Sequence, residues 1–136
     1  MAKRVQVEWV NGRAWRATAR GMEVIAGAVP AAGETSPGMT PAELLVAALA
    51  GCTGIDLSCY AERHPELDLS QVRLELTWSD PPDTKRRIGH IDMRVTLPDT
   101  LSPEQRATIT RIVNNCKIHQ TLEHGVEIAT EVAVGD

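Results

Sequence analysis

Three cysteines are the side chains of this sequence that could support redox chemistry. Cys52 lies in the small-residue segment 47–54, and Cys59 follows on the same side of the same predicted helix. With a rise of about 1.5 Å per residue, their sulfurs would lie about 10 Å apart, too far for a disulfide. We therefore expect Cys59 to be a core residue. An odd, small number of cysteines favours free or redox-active thiols over a disulfide scaffold.

Cys116 follows a break in one helical pattern and precedes a second, short one over 117–124. If it starts that helix, the helix dipole favours a thiolate at this position. Simple packing and a redox pair with Cys52 both account for it, because a lone cysteine is often only a buried apolar residue. His119 could share a metal with Cys116, but a closed zinc site needs four ligands and no second pair is clustered nearby. We predict no metal and no cofactor.

Two charged residues are further candidates. Glu43 stands three positions after Thr40, with Pro41 between them, which is the pattern of a capped helix start. Nine helical residues turn through about 900°, so Glu43 would face away from Cys52. Capping is therefore its favoured role. Arg13 lies beside the second predicted strand with other arginines, and its spacing alone does not distinguish it.

The helix predicted over 41–63 is the element that must position Cys52. It is almost wholly apolar for two turns, so we expect it to be buried on most sides. Asn11-Gly12 predicts a hairpin between two alternating segments, and a last strand is predicted over 126–134. The predicted order is βββ-α-ββ-α-α-β, which is an α+β domain with antiparallel hairpins.

Length and charge limit the classes of function. A chain of 136 residues predicts one domain over 1–136, and a net charge of −4 with a pI near 5.5 argues against binding to nucleic acid or to an anionic membrane surface. No apolar run reaches the roughly 18 residues of a membrane span. The first residues lead directly into a strand pattern without a signal-peptide core, so we expect a cytoplasmic protein.

Two segments of the sequence resemble the OsmC/Ohr family of osmotically inducible and organic hydroperoxide resistance proteins. The segment SPGMTPAELLVAALAGC, over 36–52, resembles the family's helix "nPxeLLlaAlagC". The segment NCKIHQTL, over 115–122, resembles its second cysteine segment "CPvhxtL", with Lys117 where proline is common. The order of elements and the separation of the cysteines fit as well, so the resemblance covers most of the chain.

This resemblance implies an α+β fold with antiparallel sheets around a central buried helix, formed as an intertwined homodimer with active sites between the chains. It also implies a thiol peroxidase that acts in oxidative stress. Cys52 would attack an organic hydroperoxide and become a sulfenic acid, and Cys116 would condense with it to a disulfide. A dithiol, in the family often a lipoylated protein, would then reduce that disulfide.

In the peroxidases of this family an arginine–glutamate pair polarises the peroxide and holds the thiolate. The resemblance makes Arg13 the candidate arginine, because it follows the same Gly-Arg turn. The family glutamate follows the helix proline directly; here Ala42 has that position, and Glu43 comes one residue later. A second hypothesis is therefore a non-catalytic dimer of the same fold that binds a small hydrophobic molecule or senses redox state.

Overall fold

Alternating apolar residues form a three-stranded antiparallel sheet at the start of the chain. In the computed structural model, which describes residues 3–29 and 31–135, its strands are β1 (Gln6–Asn11), β2 (Ala14–Ala19) and β3 (Met22–Gly27), paired in that order. Positive φ angles at Arg20 (52°) and Gly21 (81°) turn β2 into β3. Such two-residue turns match the right-handed twist of the strands that they join.

One face of this sheet is apolar. The register places Val7 opposite Ala17, Ala17 opposite Val24, and Trp9 opposite Trp15, and directly opposed residues in antiparallel strands point to the same side. The members of this apolar sheet face are Val7, Trp9, Trp15, Ala17, Met22 and Val24. Its large side chains are exposed, with Trp9 at 61% and Met22 at 65%. This apolar face is therefore largely exposed in the single chain.

The connection from β3 to the first helix is a loop, as its Gly- and Pro-rich sequence predicts. It returns to the sheet at a parallel bridge between Ala26 and Met39. The backbone comes very close here, because a Cβ on Gly38 would lie 2.3 Å from the carbonyl oxygen of Ile25. Only glycine allows this approach without a shift of the backbone.

The long predicted helix is present as α1 (Pro41–Arg63). Its buried side chains form one stripe of Val46, Leu49, Thr53 and Leu57. A second stripe, spaced three and four residues apart and here termed the outer stripe, consists of Leu45, Ala48, Cys52, Ile55 and Cys59. Ile55 is 66% exposed, so the prediction of burial on most sides is wrong for the single chain.

Helix α1 is also long and apolar enough to cross a membrane by length and composition, contrary to the count of apolar runs above. This property is weak evidence, because core helices of soluble proteins share it.

The second half of the chain contains a 3-10 turn (Leu69–Gln71), a two-stranded sheet of β4 (Arg73–Ser79) and β5 (His90–Thr96), and helices α2 (Pro103–Val113) and α3 (Lys117–His124). Helix α2 begins with a capping box, since Ser102 and Gln105 exchange hydrogen bonds of 2.9 and 3.1 Å.

The predicted last strand over 126–134 is wrong for the described chain. Those residues have no regular secondary structure, and Val126 and Val134 are 68% and 98% exposed. A strand needs a neighbour to accept and donate its backbone hydrogen bonds, and this segment has none among the described residues.

Two compact units divide these elements. The first contains the described residues up to Ala48 together with Thr77–Asp92, and the second contains Leu49–Leu76 with the described residues from Met93 onward. The single-domain assignment stays a prediction. The core of the second unit consists of Leu57, Leu67, Leu101, Ile109 and Val113, surrounded by partly buried residues of β4 and β5. These strands alternate between partly buried and exposed side chains, as their sequence predicts.

Candidate active site

Cys116 lies at the N-terminus of α3 and is its N-cap residue. Its extended backbone (φ −69°, ψ 155°) directs the sulfur back over the first turn, where Sγ accepts a hydrogen bond of 3.3 Å from the backbone N–H of His119. The side chain is almost completely buried, with 1% exposure. The sequence-based expectation of a helix start at this thiol is therefore confirmed.

The hydroxyl of Thr53 makes the second polar contact of the Cys116 sulfur. Thr53 is completely buried on α1, and its Oγ1 lies 3.8 Å from the Sγ of Cys116. The same oxygen lies 3.2 Å from the carbonyl of Leu49 and 3.7 Å from the sulfur of Met93. The carbonyl is the strongest of these acceptors and takes the hydroxyl proton. The hydroxyl oxygen can then accept the S–H proton of a neutral Cys116, or the hydroxyl can turn and donate to a thiolate.

Cys52 directly precedes Thr53 on α1. Its side chain is half-buried, on the outer stripe, and makes no hydrogen bond within the described part of the chain. All three cysteines are free thiols. The fold thus packs Cys116 against the residue that follows Cys52 in the sequence. That the two thiols form a redox pair stays a prediction.

His119 and Glu123 form a side-chain pair on α3. The Nε2 of His119 contacts the Oε1 of Glu123 one turn later. The Nδ1 atom of His119 is buried and has no hydrogen-bond partner among the described residues. Within residues 3–29 and 31–135 no cluster of three or more His, Cys, Asp or Glu side chains is arranged for a metal ion.

Arg13 and Glu43 both lie in the first unit, and the side chain of each makes a hydrogen bond within that unit. The guanidinium of Arg13 donates a hydrogen bond of 2.9 Å to the backbone carbonyl of Val29. Glu43 Oε1 accepts from the Thr40 N–H at 2.8 Å, and Thr40 Oγ1 accepts from the Glu43 N–H at 3.2 Å. The predicted capping box of α1 is therefore confirmed. The catalytic roles that the resemblance implies for these two residues stay predictions.

The expectation that Cys59 lies in the core is wrong. Cys59 is exposed, on the outer stripe of α1, because the helix buries only one side against its own chain.

Two residues of the site were not singled out from the sequence. Thr53 could have been found as the polar member of the apolar stripe that contains Leu49 and Leu57, since a buried hydroxyl requires a partner. Glu123 could have been found by its position four residues after His119, where helical side chains meet.

Comparison with known proteins agrees with this fold. The OsmC family, described as OsmC-like protein, matches residues 33–131. A solved structure from Psychrobacter arcticus 273-4, named for osmotic stress induction and a detoxification response, is similar at a TM-score of 0.73 with 20% identity, over 89% of this chain and 88% of that one. An OsmC-like protein from Mycoplasma pneumoniae is similar at a TM-score of 0.70 with 16% identity, over 90% and 88% of the two chains.

A hypothetical protein from Aquifex aeolicus VF5 has the same fold, at a TM-score of 0.72 and 13% identity, over 91% of this chain and 89% of that chain. No curated protein matches the sequence. At these identities the solved structures establish the fold and leave the activity to be argued from the site.

Proposed function

This chain belongs to the OsmC family, and we propose that it is a thiol peroxidase that reduces organic hydroperoxides with Cys52 and Cys116. The observation that carries the proposal is the position of Cys116. Its buried sulfur accepts a hydrogen bond from a helix N-terminus and lies 3.8 Å from the hydroxyl of Thr53, the residue next to Cys52. A cysteine that served only for packing would need neither contact.

The reaction proceeds in three steps. The thiolate of Cys52 attacks the terminal oxygen of the hydroperoxide, the O–O bond breaks, and the alkoxide leaves and takes up a proton to become an alcohol. Cys52 is now a sulfenic acid. The thiolate of Cys116 attacks the Cys52 sulfur, the S–S bond forms and hydroxide leaves as water. An external dithiol then reduces the disulfide by two exchange steps and is itself oxidised to a disulfide.

An intertwined homodimer is part of this proposal. Two apolar surfaces support it: the apolar sheet face and the outer stripe of α1 are both exposed in the single chain. Contiguous apolar surfaces of this kind are rare on monomers and mark interfaces. A partner chain over the outer stripe would also cover Cys52, which would exclude water from the peroxide site. Arg13 would supply the cation at that site and Glu43 the carboxylate that holds it.

The proposed setting is the cytoplasm, where three free thiols remain reduced. The proposed partners are a second copy of the chain, an organic hydroperoxide and a dithiol reductant such as a lipoylated protein. Nucleic acid and membranes are not among them.

One observation favours the second candidate function, a non-catalytic dimer that binds a small hydrophobic molecule or senses redox state. The carboxylate of Glu43 is already used by the cap of α1, and Arg13 by the Val29 carbonyl. A hydrophobic ligand would need only the exposed apolar surface. Both candidates require the same fold, so an activity measurement separates them.

The test is the consumption of cumene hydroperoxide in the presence of dihydrolipoate. We expect the wild type to consume the peroxide, Cys52→Ser to be inactive, and Arg13→Ala to be slower because thiolate formation loses its cation. Cys116→Ser should undergo one oxidation at Cys52 without turnover by the dithiol. Cys59→Ser is the matched control and should retain activity. Equal consumption by wild type and Cys52→Ser would show that the thiol is not the catalyst and would favour the binding function.

A further inference from the structure

The hairpin of β1 and β2 is open at the end opposite its Gly12–Arg13 turn. Its paired residues run from Asn11 opposite Ala14 to Gln6 opposite Thr18, where the ladder ends. Beyond that last pair the first compact unit has a cleft of about 800 Å³. The cleft is lined by Lys3, Arg4, Val5, Gln6, Thr18, Ala19, Arg20 and Gly21.

The lining residues are the pairs that the register of this ladder defines. Continued beyond Gln6–Thr18, the register sets three further pairs opposite each other: Val5–Ala19, Arg4–Arg20 and Lys3–Gly21. None of these three pairs is formed in the described chain. Like charges that lie directly opposite each other destabilise an antiparallel pair of strands. The arginines at positions 4 and 20 are therefore a physical reason for the ladder to stop where it does.

The backbone of Arg20 is the second observation at this cleft. Its φ of 52° is the only positive φ of a non-glycine residue in the described chain. A residue with a Cβ is disfavoured in this left-handed region, and Asn, Asp or Gly usually occupies the first position of such a turn. The sequence thus keeps an arginine where a smaller residue would suit the turn better. A backbone outlier of this kind is a reason to seek a function for the side chain.

The chain does not neutralise the positive charge of the cleft. The lining contains three cations, Lys3, Arg4 and Arg20, and no carboxylate. None of the three makes an ion pair among the described residues. Glu23 on the neighbouring strand β3 contacts Arg16 instead, at 3.7 Å. Because the whole chain has a net charge of −4, this local excess of cations is not a general property of its surface.

We propose that the cleft binds the phosphate group of a small organic molecule between the guanidinium groups of Arg4 and Arg20. A phosphate monoester carries about −1.5 to −2 charges at pH 7, and guanidinium groups bind phosphate oxygens with paired hydrogen bonds. Lys3 supplies a third cation. The Gln6 amide and the Thr18 hydroxyl, which share one side of the ladder, supply neutral donors. The bound anion removes the repulsion between the arginines, so the ladder extends to the Arg4–Arg20 pair.

The size of the cleft indicates that the phosphate has an organic group attached. A volume of about 800 Å³ is far larger than a phosphate ion and lies within the range of roughly 300–1,000 Å³ of small-molecule sites. Val5 and Ala19 belong to the lining and offer apolar contacts to that group. No cysteine lines the cleft, so the proposal is independent of the proposed peroxidase function.

Fraying of the open hairpin end is the structural alternative. The last pairs of a strand open easily, and unformed pairs by themselves need no ligand. Fraying does not account for an arginine in the left-handed position 20, and it predicts no preference among anions. Arg16 is the matched control, because it lies on the same strand as the open end but is paired with Glu23 and is not part of the lining.

The first experiment is an NMR titration of the full chain with phenyl phosphate at pH 7, with the ionic strength held constant by sodium chloride. We expect saturable amide shifts at the lining residues. Arg4→Gln and Arg20→Asn should bind at least tenfold more weakly, and Arg16→Gln should bind like the wild type. Benzoate, which has the same ring and a single charge, should also bind at least tenfold more weakly. No saturable shift, equal binding of benzoate, or undiminished binding by Arg4→Gln would overturn the proposal.

The second experiment measures closure of the hairpin by amide hydrogen exchange. Saturating phenyl phosphate should slow exchange in residues 3–5 of the wild type. Arg20→Glu places an opposite charge across from Arg4, so exchange there should be slow without ligand and should not respond to it. Arg20→Asn suits the turn and should melt no lower than the wild type, yet its exchange should not respond either. Equal slowing in Arg20→Asn would overturn the role of Arg20, and no slowing in the wild type would overturn the closure of the ladder.

Discussion

The hydroxyl of Thr53 lies 3.8 Å from the sulfur of Cys116, and Thr53 is the residue directly after Cys52. Through this contact α1 meets the start of α3. Among the described residues, Thr53 has the only side-chain hydroxyl that approaches the Cys116 sulfur. It can serve both protonation states of the thiol, because a hydroxyl both donates and accepts.

We predict that Thr53→Val slows disulfide formation several-fold with little loss of stability. Valine has nearly the same shape as threonine. The Leu49 carbonyl, which accepts from the Thr53 hydroxyl, keeps its helical hydrogen bond, so no polar group is left without a hydrogen bond. The thiolate of Cys116 loses one donor. Stopped-flow tryptophan fluorescence after addition of peroxide measures the rate, and urea unfolding measures stability.

The control for this substitution is Ser58→Ala, which removes a similar hydroxyl bond of 3.0 Å to the Gly54 carbonyl on an exposed part of α1. Ser58→Ala should leave the rate unchanged. A rate for Thr53→Val as high as that of wild type would mean that the hydroxyl has no part in the chemistry of Cys116.

The local start signals of helices were predictable from the sequence because they depend on a few neighbouring residues. The box at Thr40–Glu43 has the predicted reciprocal hydrogen bonds, and Ser102 and Gln105 form a second box of the same kind. The position of Cys116 at the start of α3 was predictable for the same reason. Each of these features requires only that a polar side chain satisfy a free backbone N–H within one turn.

The predictions that were wrong share a different physical origin. Cys59 was expected in the core and residues 126–134 in a strand, and both are exposed in the chain. Apolar periodicity indicates that a side will be buried, but it does not identify what buries it. The contact of Thr53 with Cys116 also could not be predicted from the sequence, since the two residues are distant in sequence and meet only through packing of α1 and α3.

Asp68 provides a pH-dependent prediction. The Ser70 hydroxyl, the Ser70 backbone N–H and the Gln71 amide donate to its carboxylate, and these hydrogen bonds hold the pKa of Asp68 below its ordinary value of 3.8. Because the folded value is the lower one, this group stabilises the fold above pH 3.8, and the contribution is lost as the pH falls through the folded pKa.

Asp68→Asn should therefore reduce stability at pH 6 and reduce the loss of stability between pH 5 and 2. Urea unfolding at a series of pH values and one fixed protein concentration measures both effects. Asp99→Asn, at an exposed aspartate before α2, is the control and should follow the wild type. Parallel pH curves for Asp68→Asn and wild type would contradict the assignment.

Gly38→Ala should destabilise the fold strongly. The new Cβ would lie 2.3 Å from the carbonyl oxygen and 2.9 Å from the carbonyl carbon of Ile25, so the backbone of β3 or of the loop must shift. Overpacking of this kind costs about 1–3 kcal/mol. Gly54→Ala is the control, since its Cβ would meet only Leu74 at 3.8 Å and alanine favours a helix. Thermal unfolding should separate the two, and equal melting temperatures would exclude the close approach.

The last prediction concerns assembly and uses the outer stripe of α1. We expect a homodimer at micromolar concentration with an interface above about 2,000 Å², the size typical of obligate dimers. Ile55, which is 66% exposed in the single chain, should lie in that interface. Ile55→Glu would place a charge against an apolar partner and should yield a monomer in sedimentation velocity. Arg106→Glu, an equally drastic change on exposed α2, should remain a dimer. Because Cys52 belongs to the same stripe, monomeric Ile55→Glu should also lose peroxide consumption. A wild-type protein that sediments as a monomer would contradict the homodimer and the shared site together.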